Sequence, residues 1–129
     1  MFFHNCFGLL VDDAAEAADY YTNVMGYKID VVADSFFQFD TGGRAIFFVW
    51  QWDHLVKHLG EEAMSKVKHR VQSAIYFEKP ADVDKYYEKL KSEGVRFIVE
   101  PRDWEWEARA AYFVDDDGYM WELYSWNRA

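Results

Sequence analysis

Glu122 stands in Met120-Trp121-Glu122-Leu123-Tyr124, where every other member is large and apolar or aromatic. In an extended strand Met120, Glu122 and Tyr124 share one face, and Trp121 and Leu123 take the other. Both faces are apolar, and an unpaired carboxylate buried there would be costly. Glu122 therefore needs a cation, a metal, a hydrogen-bond donor or a proton. It is either a ligand-contacting group or a structural carboxylate paired to an Arg or a Tyr. His54 and His58 have the i, i+4 spacing of a helical metal pair, with Glu61 and Glu62 as loose third ligands. His4 reads as an ordinary strand-end histidine or, less commonly, a metal or substrate contact. Cys6 is the chain's single cysteine. Nothing beside it in sequence would lower its thiol pKa, so it reads as a small buried hydrophobe rather than a nucleophile. A Gly-rich phosphate loop, a G-x-S-x-G elbow and a C-x-x-C pair are all missing, which sets those chemistries aside.

The elements that must position these groups follow from periodicity and turn residues. Asp115-Asp116-Asp117-Gly118 is a tight turn joining two strands, 108–114 and 119–124. Upstream, 3–11 reads as a strand. Asp12-Asp13 then caps an alanine-rich helix over 14–25, with Ala17, Tyr21 and Val24 at core-facing spacing, and Gly26 ends it. Segments 27–33, 36–40 and 45–51 complete a β-α-β-β-β order. Phe47, Trp50, Trp52 and Trp121 are first of all core residues. A second unit repeats the order, with strand 71–77, helix 81–93, Gly94 as its stop, strand 95–99 and the hairpin. Tyr20-Tyr21 before Gly26-Tyr27-Lys28-Ile29 matches Tyr86-Tyr87 before Gly94-Val95-Arg96-Phe97, which argues for a duplicated supersecondary unit. Module one covers about 1–52 and module two about 70–126. The polar stretch 53–69 between them reads as a linker with one or two short exposed helices. Residues 100–107, with Trp104 and Trp106, read as a charged loop serving as a lid or a dimer contact.

The totals bound the rest. At 129 residues the chain is a single domain's worth, 51% hydrophobic and 20% aromatic, an aromatic load beyond what its core requires. The surplus is expected to line a cavity or an interface. A formal charge of −9 opposes nucleic-acid binding and favours neutral or cationic small ligands. No apolar run approaches membrane-spanning length, and the Met1-Phe-Phe-His start lacks the regions of a signal peptide. With one cysteine there is no internal disulfide, in keeping with a cytoplasmic setting.

Four stretches together resemble the vicinal oxygen chelate superfamily of glyoxalases, extradiol dioxygenases and bleomycin resistance proteins. They are Val11-Asp12-Asp13 through Tyr21 to Met25-Gly26-Tyr27, the duplicated βαβββ unit, Lys89-Leu90 to Gly94-Val95, and Phe113-Val114-Asp115-Asp116-Asp117-Gly118-Tyr119-Met120-Trp121-Glu122-Leu123. Asp116 stands where these proteins usually have proline. The resemblance implies an α+β fold in which two modules curl a mixed sheet around a cup, helices outside. It also implies a divalent ion held by residues of the first and last strands of each module. Glu122 falls on the last of those positions, Cys6 on the first with His4 two residues before it, Phe47 on the fourth-strand position and Gln72 on the one opening module two. Phe47 is accordingly expected to face the cup. His69 lies three residues before Gln72, on the wrong parity unless the strand bulges.

Two function classes follow. In the first, no cofactor is expected: the cup has exchanged metal ligands for aromatic surface and binds a small aromatic or cationic molecule, as the bleomycin resistance proteins sequester a drug. Phe47, Gln72, Met120, Glu122, Tyr124, Trp104 and Trp106 are its candidate ligand contacts. In the second, Glu122, Gln72 and His4 or Cys6 hold Zn, Ni, Mn or Fe for a lyase, isomerase or dioxygenase in which Glu122 is also the catalytic base. A homodimer is expected in either case, since curved-sheet edges and surplus aromatics are hard to accommodate in a monomer.

Overall fold

The computed structural model describes residues 2–128. Its elements run β1 (Phe2–Val11), α1 (Ala14–Asn23), β2 (Lys28–Ala33), β3 (Phe36–Asp40), β4 (Ile46–Gln51), α2 (Trp52–Leu59), α3 (Glu61–Met64), β5 (Val71–Phe77), α4 (Pro80–Ser92), β6 (Arg96–Trp104), β7 (Ala108–Val114) and β8 (Met120–Trp126). All eight strands lie in one open sheet of order β2-β3-β4-β1-β5-β8-β7-β6. Each half is a βαβββ unit whose first and last strands pair in parallel, β1 with β4 and β5 with β8. The halves join within the chain through antiparallel pairing of β1 with β5. This is the α+β duplicated arrangement the sequence implied.

Alternation along the strands sorts the side chains onto two faces. On the outer face α1 lays Ala14 and Ala18 over Phe39, Phe47 and Val49, while α4 lays Val83 over Ile75, Phe77, Ala111 and Leu123. Asp13 caps α1 by accepting from the Glu16 N–H. The helix ends at Asn23, one residue before Val24, which is 68% exposed rather than in the core.

The inner face is the cup, and it is filled. Cys6, Leu10, Phe48, Trp50, Ala74, Trp104, Ala110, Tyr112, Met120 and Tyr124 form one cluster with Leu55, Met64 and Val67. These last three come from 53–69, so the expectation of an exposed linker does not hold. Its acidic, lysine and serine side chains and His69 face water, His54 and His58 are largely buried with side chains 12% and 17% exposed, and Leu55 and Met64, 0% and 1% exposed, plug the cup. The expected loop over 100–107 also shrinks, because β6 runs on to Trp104 and only the turn at 105–107 is irregular. Arg102 lies over the Trp104 ring, and Trp104 stacks on Trp106 with centroids 4.8 Å apart.

Gly8 shows how tightly the cup is packed. A Cβ there would sit 2.1 Å from Cε1 of Phe48, a ring itself stacked on Phe36. Gly8→Ala is expected to lower unfolding free energy by about 1–3 kcal/mol through overpacking. Adding Phe48→Leu should return part of that loss, and denaturant titration of the single and double variants checks it. Simple additivity of the two changes would contradict the account.

Candidate functional site: a buried carboxylate cluster in the cup

Glu122 is placed by the hairpin. Asp115 accepts from the backbone N–H groups of Asp117 and Tyr119 and from the Trp121 indole. Gly118, at φ +89°, supplies the left-handed residue of the turn. The resulting register sets Tyr112 opposite Glu122 on β7, Ala74 opposite it on β5, and Cys6 opposite Ala74 on β1. Small alanine in the middle of this row lets the polar groups on either side converge.

Glu122 is 9% exposed. The Tyr112 hydroxyl donates to its Oε2 at 2.7 Å, and Gln72 Nε2 donates to its Oε1 at 2.9 Å. Burial pushes its carboxyl up to about 7, against the opposing pull of those two donors. Gln72 is 0% exposed, and its Oε1 has no hydrogen-bond partner among the described residues. Burial, with the Glu122 charge second, pushes the Cys6 thiol up to about 12, and Tyr124 hydrogen-bonds to it. Tyr112 and Tyr124 are likewise pushed well above the ordinary phenol range by burial first. The cluster thus holds neutral donors around one titratable carboxyl.

Several expected site residues lie together here. Glu122, Gln72, Cys6, Met120 and Tyr124 all face the cup, and Trp104 packs beside Tyr112 with ring centroids 5.8 Å apart. Trp106 is partly buried against the same cluster. Phe47 does not face the cup: it packs under α1 with Phe39 and Tyr21. Its neighbour Phe48, paired with Gly8, takes the inward position instead. His4 is also elsewhere. A register shift between Phe3 and Cys6 breaks the alternation, and the His4 ring lies 5.0 Å from Trp121, which points away from Glu122. His69 is exposed, stacked on Tyr119 and bonded to the Asp117 carbonyl.

His54 and His58 do approach each other, with ring centroids 4.2 Å apart at the mouth of the cup. They are otherwise engaged. Trp50 Nε1 donates to His54 Nδ1 at 2.9 Å, and His58 Nδ1 is 2.6 Å from Glu105. Glu61 and Glu62 are exposed. Among the described residues no three His, Cys, Asp or Glu side chains are grouped to hold a metal ion.

The donor set at Glu122 does not suit Zn, Ni, Mn or Fe either. Both carboxylate oxygens already accept hydrogen bonds, the thiol is held neutral, and the fourth-strand position offers a phenyl ring. Tyr112 escaped the sequence reading, although its signal was present. A tight turn at 115–118 brings the strand before it against the strand after it, and Tyr112 then falls opposite Glu122.

Over 120 residues the chain is 32% identical to the uncharacterized protein YraH of Bacillus subtilis, covering 90% of this chain and 92% of that one. A shorter match, 34% over 67 residues, is to the fosfomycin resistance protein FosX of Listeria monocytogenes, covering 52% of this chain and 45% of that one. Among solved structures, one described as an NAD-dependent benzaldehyde dehydrogenase from Legionella pneumophila overlays with a TM-score of 0.72 at 14% identity, covering 94% of this chain and 97% of that one. At that identity the likeness is one of fold. No helix of the described residues is long and apolar enough to cross a membrane. Residues 4–123 match the Glyoxalase/Bleomycin resistance protein/Dioxygenase superfamily over nearly the whole chain, and the protein belongs to that superfamily.

Proposed function

We propose that the protein binds a small aromatic or cationic molecule in the cup without a complete metal site. The observation that carries this reading is the state of Glu122, a buried carboxyl held by Tyr112 and Gln72 rather than left open to a metal. Such a group can anchor a cation when ionised and donate to an acceptor when protonated. The aromatic walls from Trp50, Trp104, Tyr112 and Tyr124 suit a flat ring. Entry requires Leu55, Met64 and Val67 to withdraw, so α2 and α3 act as a displaceable plug. The partial likeness to a fosfomycin resistance protein supports a role in handling a small toxic molecule. We place the protein in the cytoplasm as a homodimer, in keeping with its single cysteine and its exposed apolar residues.

A titration with flat cationic aromatics, read by tryptophan fluorescence, tests the binding. Quenching should be saturable and insensitive to chelator. Glu122→Gln should weaken cationic ligands by about 1–3 kcal/mol, the scale of a lost charged hydrogen bond, and leave neutral aromatics nearly unchanged. Binding or turnover that disappears with chelator in the unsubstituted protein would reject this reading in favour of a metal-dependent lyase, isomerase or dioxygenase.

A further inference from the structure

Net charge is a sum, and one cleft of this acidic protein reverses it locally. Val67 is seated in the cup cluster, so Lys66 and Lys68 on either side of it turn outward, and both are exposed. The Lys68 backbone N–H donates to the Gly118 carbonyl at 2.9 Å. The stem of its side chain crosses Gly118 so closely that a Cβ there would lie 2.6 Å from Lys68 Cβ. The lysine is thus laid over the hairpin turn. On the other side Arg96 of β6 pairs with Val114 of β7, a member of the cup cluster, and Ile98 packs against the same cluster. Between the two sides lies a cleft of about 430 Å³, lined by Lys66, Lys68, Arg96, Ile98 and Val114 among others. Small-molecule pockets run from about 300 to 1,000 Å³, so the space suits a compact ligand. Neither Glu122 nor Gln72 lines it.

Two carboxylates also line the cleft, and neither neutralises the lysines. Asp115 engages both oxygens in the turn, Oδ1 with the Asp117 and Tyr119 N–H groups and Oδ2 with the Trp121 indole. Asp116 is fully exposed and lies 3.6 Å from Arg96, a solvated pair of little worth that an incoming anion can displace. Lys66 and Lys68 form no ion pair among the described residues. We infer that this cleft binds a small organic monoanion, a carboxylate carried on a compact apolar body. The two lysines and Arg96 offer charged donors to the carboxylate, and Ile98 and Val114 take the apolar body out of water. Asp115 and Asp116 hold the ligand to one negative charge, because a second would meet their own. The site takes a ligand of opposite sign to the one Glu122 anchors, and it does not depend on what the cup binds.

The full chain is titrated with naphthoate, with its neutral counterpart naphthylmethanol and with naphthyl phosphate, by calorimetry and by amide shifts of isotope-labelled protein. Naphthoate is expected to bind saturably, at least about tenfold more tightly than naphthylmethanol and no more weakly than the phosphate. High salt should weaken it. The largest amide shifts should fall on residues 66–68, 96–98 and 114–118. Lys68→Gln/Arg96→Gln, which keeps polar side chains at two exposed positions, should weaken naphthoate at least about tenfold, whereas Lys28→Gln on β2 should leave it unchanged. Circular dichroism checks that both variants fold, and if the double variant does not, the shift map on the unsubstituted protein decides alone. Shifts concentrated on residues 72, 112 and 122 would place the anion in the cup and overturn the inference. So would the absence of saturable binding, equal affinity for naphthylmethanol, tighter binding of the phosphate, or undiminished binding by the folded double variant.

Discussion

Between about pH 4.5 and 7 the protein is expected to lose roughly 3 kcal/mol of stability that Glu122→Gln does not lose. The carboxyl stands at about 7 in the folded chain against an ordinary value of 4.5. In that window the native state binds more protons at this site than the unfolded chain does, so stability falls as pH rises. The contribution is fully present below 4.5 and gone above 7. At 1.36 kcal/mol per pH unit, the separation gives about 3 kcal/mol. His54 works in the opposite sense. Burial, and the His58 charge after it, hold its pKa below 6.5, so its protonation in the unfolded chain costs stability on the acid side. Comparing the protein with Glu122→Gln removes that common term. Gln72 gives the comparison a second edge: its Oε1 is buried without a partner among the described residues while its Nε2 serves the carboxylate. An amide introduced at 122, or the protonated carboxyl itself, can donate to that oxygen once the Gln72 amide turns over. At pH 8 the variant should therefore equal or exceed the unsubstituted protein in denaturant midpoint. A variant that is less stable at pH 8, or that follows the same pH slope, would contradict this account.

The hairpin that fixes this carboxyl was readable because turn chemistry is local. Asp115 to Gly118 can do little else between two aromatic strands. The duplicated βαβββ order was readable for a similar reason, since a left-handed glycine, Gly26 or Gly94, follows each helix and turns the chain into the next strand. Side-chain facing in β4 was not. Phe47, Phe48, Val49 and Trp50 are apolar on both faces, so no alternation distinguishes them, and only the pairing of Phe48 with Gly8 settles which ring enters the cup. His4 failed because parity counting assumes an unbroken ladder, and the β1–β5 ladder shifts register before it reaches that residue. The plug failed through dilution. Leu55, Val56 and Leu59 share their helix with Asp53, Lys57 and two histidines, so mean composition reads as polar while one face is apolar. Met64 and Val67 then continue that face beyond a helix too short to announce itself.

That plug carries the other large expectation. Leu55 is 0% exposed within the cup cluster, so Leu55→Ala should cost about 2–5 kcal/mol, the range for a buried leucine whose surroundings collapse only partly. Its second effect runs the other way. If α2 must leave before a ligand reaches Glu122, part of any ligand's intrinsic affinity is spent on displacing it. Weakening the plug raises the fraction of open molecules, and apparent affinity rises in proportion. Leu55→Ala should therefore bind flat aromatics more tightly than the unsubstituted protein while unfolding at lower denaturant. A surface change on the same helix, Lys57→Ala, should alter neither by much. Fluorescence titration and denaturant unfolding on the three proteins provide both readings. Loss of stability with unchanged or weaker binding would mean that the helix packs the cup permanently and that the ligand approaches by another route.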